Sequence, residues 1–145
     1  MAKATKCEIP ADLYYWIKEH VWVRREEDGS VTIGMTDAAQ HIAGVVINAM
    51  PKKAGRGVQK GRSTGTVESG KWVGPVKAPV SGQIIAANET LASTPRALNE
   101  DPYGSGWFVR IQPDNWAGES ADLVSGADGA AAYRQFLEDE GIACE

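Results

Sequence analysis

The sequence predicts a mainly β fold, and three observations carry the prediction. Sixteen Gly and seven Pro are spread through the 145-residue chain. Between them lie short runs rich in Val, Ile and Thr, such as Val21 to Arg25, Val31 to Met35 and Ser63 to Ser69. Only beyond Pro113 does the pattern as a whole change to helical. Short strands punctuated by turn residues indicate sheets rather than a helical bundle. The length and an apolar content of 43% suit one domain with its own core. No break marks a second domain, so residues 13–145 read as one unit behind a flexible lead-in at 1–12.

Each element follows from a local signal. Leu13 to His20 has apolar residues at both helical and alternating positions, which leaves its type open. Val21 to Arg25 and Val31 to Met35 flank Glu27-Asp28-Gly29-Ser30, a turn signal that pairs them as a hairpin. Thr36 or Asp37 can cap a short helix running to about Ala43. Val45 to Ala49 is extended and stops at Pro51, and Lys52 to Gly61 is a loop with a tight turn. Ser63 to Ser69 and Val73 to Lys77 form a second hairpin, which puts Lys71 at its tip. A Pro-Val-Ser-Gly turn then leads into a strand from Gln83 to Ala87. Thr90 to Pro102 is turn-rich, with one helical turn around Arg96 to Leu98, and Trp107 to Ile111 is a strand. Asp128 to Glu140 places Tyr133, Phe136 and Leu137 at helical spacing and ends at Gly141, a C-terminal helix. Trp22, Trp107 and Phe108 fall on strands and are expected to pack. Trp72, beside the tip, is either a contact for a partner or cargo, or packing against the sheet.

Charge is unevenly placed. From Pro51 to Lys77 seven cations face Glu68 alone, a net of +6, which leaves −10 for the rest. From Asp114 to Glu145 the net is −7. Such blocks are solvated faces or, functionally, a basic rim steering the Lys71 tip toward acidic partners. An acidic pI of 5.2 with no binding motif argues against nucleic acid. No apolar run approaches a membrane span and no secretory signal is visible, so a cytoplasmic protein without membrane contact is expected.

Catalytic chemistry is hard to find. The two histidines, His20 and His41, lack zinc-ligand spacing, so no metal site is expected. There is no GxSxG, P-loop or GxGxxG in a strand-to-helix context and no nucleophile-base-orienter set. Cys7 and Cys144, at opposite ends, make no disulfide framework and read as inert or merely oxidisable thiols near floppy ends. An exposed modifiable lysine without catalytic machinery points to a carrier rather than an enzyme. Acylation would lengthen the Lys71 stem and remove its charge.

The run Val67-Glu68-Ser69-Gly70-Lys71, with Ala78-Pro79-Val80-Ser81-Gly82 beyond it, resembles the lipoyl/biotinyl attachment hairpin. Biotin carriers typically flank the lysine with Met, whereas here Gly70 and Trp72 stand beside it. The Glu-Ser-x-Lys form is similar to the glycine cleavage system H protein family. His20-Val21-Trp22-Val23, Gly34 to Gln40 and Asn99 to Trp107 resemble further H-protein segments in order, over roughly residues 13–140. The resemblance implies a barrel-sandwich hybrid of two antiparallel sheets with short helices and a C-terminal helix. It also implies lipoate in amide linkage to Lys71, recognition of Glu68 by a lipoate-attaching enzyme, and turning of the loop at Gly70 and Gly74. A dihydrolipoamide dehydrogenase is implied as a further partner.

Some residues depart from that pattern. H proteins usually have small residues after the lysine, where this chain has Trp72-Val73-Gly74-Pro75, and an acidic, apolar stretch before the hairpin, where this chain is basic. Ile9 to Trp16, the tip sequence and the Cys144 ending look like the lipoate-binding proteins of bacterial sulfur oxidation. Those work with a heterodisulfide reductase-like complex. The expectation is therefore a swinging arm on Lys71 that carries sulfur-bound intermediates. The alternatives are an H protein carrying an aminomethyl group, or an unmodified binding module that uses the basic rim.

Overall fold

A computed structural model describes residues 4–144. The strands are β1 (Tyr14–Trp16), β2 (Val21–Arg25), β3 (Val31–Met35), β4 (Val46–Pro51), β5 (Gly57–Val58), β6 (Ser63–Ser69), β7 (Val73–Lys77), β8 (Gly82–Ala87), β9 (Val109–Pro113) and β10 (Val124–Ser125). The helices are α1 (Asp37–Ala43), α2 (Ala97–Glu100), α3 (Trp116–Glu119) and α4 (Gly126–Asp139). One sheet has seven strands in the order β10-β1-β2-β3-β9-β8-β5, the other three in the order β4-β6-β7. All pairings are antiparallel. The expected two-sheet, mainly β architecture with a C-terminal helix is present.

The strand β2 shows how the layers are specified. Its residues alternate between two sides, so Val21 and Val23 enter a core shared by both sheets with Ile33, Val67, Val76, Ile84 and Phe108. Trp22 points the other way, into a second cluster with Tyr15, Tyr133 and Leu137 under α4. The buried indole donates from Nε1 to the Pro102 carbonyl at 2.9 Å, so its one polar atom is satisfied. Because the sheet is covered on both sides here, the run reads as unbroken apolar sequence rather than as alternation.

Several boundaries differ from the sequence reading. Leu13 to His20 resolves into β1 followed by a 3-10 turn at Ile17–Glu19. Strand β9 starts at Val109, two residues after Trp107, and α4 begins at Gly126, ahead of Asp128. The short strands β5 and β10 carry no strand signal of their own; at two residues each they exist only because a neighbour pairs with them.

Over residues 4–12 the expected loose lead-in is packed; residues 1–3 of it lie outside the described residues. Thr5, Cys7 and Ile9 are buried. Lys6 N–H donates to Ala143 O at 2.9 Å, and Thr5 Oγ1 to Ile142 O at 2.8 Å. Cys7 and Cys144 are joined by a disulfide with a Cα–Cα distance of 4.9 Å. The reading of these cysteines as free thiols at floppy ends is therefore corrected. Sequence separation, 137 residues, hid the fact that Cys7 and Cys144 meet beside α4.

Candidate functional site

The hairpin β6–β7 presents Lys71. Glu68 and Val73 form its last register pair, and Ser69 N–H to Trp72 O, at 2.7 Å, closes the loop Gly70-Lys71-Trp72. All three loop residues are exposed. The tip does not wave freely, because buried Ser69 ties it down. Its Oγ donates to Ala43 O, at the end of α1, at 2.5 Å, and accepts from Lys71 N–H at 3.3 Å. The Lys71 stem lies over Gly44, where a Cβ would sit 3.0 Å from Cε and 3.7 Å from Nζ. Gly44 has φ 84°, a conformation that glycine adopts without penalty.

The Gly44 corner is itself clamped. Asn99 Nδ2 donates to Gly44 O at 2.8 Å and to Gln40 Oε1 at 2.9 Å, while its Oδ1 accepts from Val46 N–H at 2.8 Å. Neither Ser69 nor Asn99 stood out in the sequence as a positioning residue, since a serine or asparagine in a polar stretch carries no distinct signal. Glu68 alternates with buried Val67 and Ser69, so it lies on the outer face of the three-stranded sheet beside exposed Val73.

Trp72 folds back over Gly74, where any Cβ would run into the indole ring. Gly74 therefore makes room for Trp72 and is a regular strand residue paired with Val67, rather than a turning point. The indole, 38% exposed, lines a cleft of about 300 Å³ beside the tip, together with Val21, Met35 and Ile42. At its rim Lys77 Nζ meets Glu19 Oε1 at 3.4 Å, and Lys18 adds a second cation. His20, also lining the cleft, shares a hydrogen bond at 2.7 Å with Tyr133 OH, which shares another with Thr36 Oγ1. Burial holds the His20 imidazole below its ordinary pKa, against the opposing influence of Glu19 and Glu140.

Apart from Lys77 at the cleft, the basic rim does not frame the tip. Its loop joins β6 at the Ser63 end, and Lys71 follows the Ser69 end, about 20 Å away at roughly 3.3 Å per residue. Part of that charge is also internally neutralised, since Lys60 Nζ lies 2.5 Å from Asp122 Oδ2. Cys7, Asp37 and Cys144 bring their side-chain heteroatoms within 4.8 Å of one another, but the two sulfurs are bonded together and are not thiolate ligands in this state. No helix among the described residues is long and apolar enough to cross a membrane.

The sequence profile of the glycine cleavage H-protein matches residues 13–140. The chain belongs to the glycine cleavage H-protein family. It is 43% identical over 138 residues to glycine cleavage system H protein 2 of Aquifex aeolicus, covering 95% of this chain and 86% of the relative. It is 39% identical over 147 residues to probable glycine cleavage system H protein 2 of Saccharolobus solfataricus, covering 100% and 99%. The crystal structure of a glycine cleavage system H protein from Mycobacterium marinum superposes with a TM-score of 0.75 at 32% identity, covering 88% of this chain and 99% of that one. Proteins of this family are non-catalytic carriers bearing a covalently attached lipoate, and this chain is a lipoyl carrier of that kind. The tip suits the group: an exposed lysine on an anchored loop, with a cleft of about 300 Å³ alongside, lined by the neighbouring Trp72.

Proposed function

We propose that Lys71 is the lipoyl attachment residue and that its arm carries the aminomethyl group of glycine cleavage between catalytic partners. The observation that carries the reading is the presentation of Lys71, exposed on a loop that Ser69 fixes to the end of α1. When bound, lipoate supplies a dithiolane that cycles between disulfide and dithiol. The protein supplies position. Ser69 and Gly44 set the direction in which the stem leaves, Trp72 walls the cleft, and Glu68 marks the outer face for the lipoate-attaching enzyme. Dihydrolipoamide dehydrogenase is the partner that reoxidises the arm.

One feature favours a second cargo. An aminomethyl group is an amine and gains most from a free carboxylate. The carboxylate at the cleft rim, Glu19, is already paired with Lys77, and Lys18 adds positive charge. A neutral or anionic sulfur-bound intermediate, handed to a heterodisulfide reductase-like complex, suits such a cleft better. Incubating lipoylated protein with glycine, pyridoxal phosphate and the decarboxylating subunit separates the two. An aminomethyl mass increment supports glycine cleavage, and its absence under conditions that load a known H protein supports the sulfur reading. Intact mass of the Lys71→Arg protein checks the attachment site, and a lipoyl increment there would overturn the assignment of Lys71.

A further inference from the structure

The Cys7–Cys144 disulfide is a reactive group set apart from the hairpin tip. Helix α1 relates it to the arm. At the start of α1, Asp37 puts a carboxylate oxygen within 4.8 Å of both sulfurs and accepts from Glu8 N–H at 2.7 Å. Just past its end, Gly44 lies under the Lys71 stem. Asp37, His41 and Gly44 are spaced by four and three residues, so they share one face of the helix. His41 Nε2 lies 3.6 Å from Asp37 Oδ1, between the two ends. The seven residues of α1 span about 10 Å at roughly 1.5 Å per residue. From ordinary covalent bond lengths, a lipoyl chain extends on the order of 10 Å beyond the lysine nitrogen. The reach of the arm therefore matches the length of the helix that separates the lysine from the disulfide.

Access is asymmetric. Cys7 is 2% exposed, whereas Cys144 is half-buried, so Cys144 Sγ is the sulfur an arm can approach. We infer that the Cys7–Cys144 pair is an internal electron acceptor for the reduced arm, exchanging disulfide for dithiol along the Asp37–His41–Gly44 face of α1. The inference rests on lipoylation at Lys71. Cys144 Sγ accepts attack by one arm thiolate, its bond to Cys7 breaks, and Cys7 leaves as a thiol that takes up one proton beside Asp37. The second arm sulfur then attacks the first, closes the dithiolane and releases Cys144, which takes up the other proton. Two electrons and two protons pass from arm to cysteines, and no outside oxidant is consumed.

The test uses the full-length lipoylated protein with NADH and dihydrolipoamide dehydrogenase, quenched with an alkylating agent and mapped by mass spectrometry. The expected result is four alkylated thiols, two on the arm and one each on Cys7 and Cys144. The cysteines should become labelled at a rate unchanged by tenfold dilution of the carrier. Lys71→Arg protein should keep its disulfide intact, which controls for direct reduction by the dehydrogenase. In lipoylated Cys7→Ser protein with the arm oxidised and NADH left out, the Cys144 thiol should open the dithiolane, and alkylating the arm thiol so released should trap a cross-link between the Lys71 and Cys144 peptides. Labelling confined to the arm, cysteine labelling that slows with dilution, or labelling in Lys71→Arg protein overturns the inference. A missing lipoyl increment on the starting protein would instead refute the attachment-site reading, and intact mass reports that separately.

Discussion

Replacing Ser69 by alanine removes one oxygen, yet that oxygen connects three things: the hairpin tip, the Lys71 backbone and the end of α1. Ser69 is 5% exposed, and its donation to Ala43 O is short at 2.5 Å. Deleting the hydroxyl leaves that carbonyl without this donor in a buried place, which costs about 1–3 kcal/mol. The bond accepted from Lys71 N–H, at 3.3 Å, is long and adds little. For a chain of this size, each kcal/mol lowers the melting temperature by roughly 2–4 °C. Urea unfolding should thus show a lower midpoint at an unchanged m-value, because the surface exposed on unfolding stays the same. The functional consequence is separate from the stability loss. With the tether cut, the tip should sample more orientations, so attachment of lipoate should slow well below the folding midpoint. A stability loss under about 0.5 kcal/mol, the usual range for a surface change, would refute the claim that Ser69 anchors the tip. Normal attachment kinetics would refute the claim that anchoring matters for recognition.

Other perturbations report on neighbouring parts of the structure. Gly74→Val should displace the Trp72 indole from its seat, seen as a red-shifted tryptophan emission difference against Trp72→Phe controls, while the far-ultraviolet spectrum is kept. Leu137→Ala, at a fully buried position on α4, should cost about 2–5 kcal/mol by urea unfolding. Reducing the disulfide under native conditions should lower stability by up to about 5 kcal/mol on the chain-entropy account, given its long loop. His20, held neutral by burial, gives a pH effect of defined sign. Its unfolded form protonates near pH 6.5 and its folded form only lower, so its contribution is full above about 6.5. That contribution is lost as pH falls toward the depressed folded value. Between pH 7.5 and 5.5 the wild type should therefore lose more stability than His20→Asn, a substitution suited to the φ of 54° at this position.

How much of this could be read beforehand depends on how local each feature is. The hairpin that carries Lys71 was legible because strand, loop and strand are contiguous and each obeys its own pattern. Trp22 was legible as core, although not which core, because two covered faces erase the alternation that would reveal direction. The Gly44 corner was not legible. Its three clamping bonds come from Asn99, a residue in another part of the chain whose side chain matches the corner only after folding. The basic stretch misled for the opposite reason: it is close to Lys71 in sequence but at the far end of β6 in space. Strands convert sequence proximity into distance, at about 3.3 Å per residue. The disulfide is the mirror case, with the greatest sequence separation and direct contact.

That contrast explains why the chemistry around Lys71 is organised by α1 rather than by the hairpin. A hairpin tip can present a lysine, but its two strands share one short loop and bring no distant residues to it. Helix α1 begins where Cys7 and Cys144 are joined and ends where the lysine stem lies. It is capped at Thr36, whose Oγ1 accepts from Ala39 N–H at 3.2 Å and also shares a hydrogen bond with Tyr133 of α4. The same seven residues therefore register the tip against the C-terminal helix, the cleft and the disulfide. A change that shifts α1 should alter all three together, whereas a change confined to the hairpin should alter presentation of Lys71 alone. Ser69→Ala and Thr36→Ala distinguish these cases. The first should leave the Cys7–Cys144 pair as protected from alkylation after mild reduction as in wild type. The second, which removes the cap and its Tyr133 contact, should increase labelling at both cysteines.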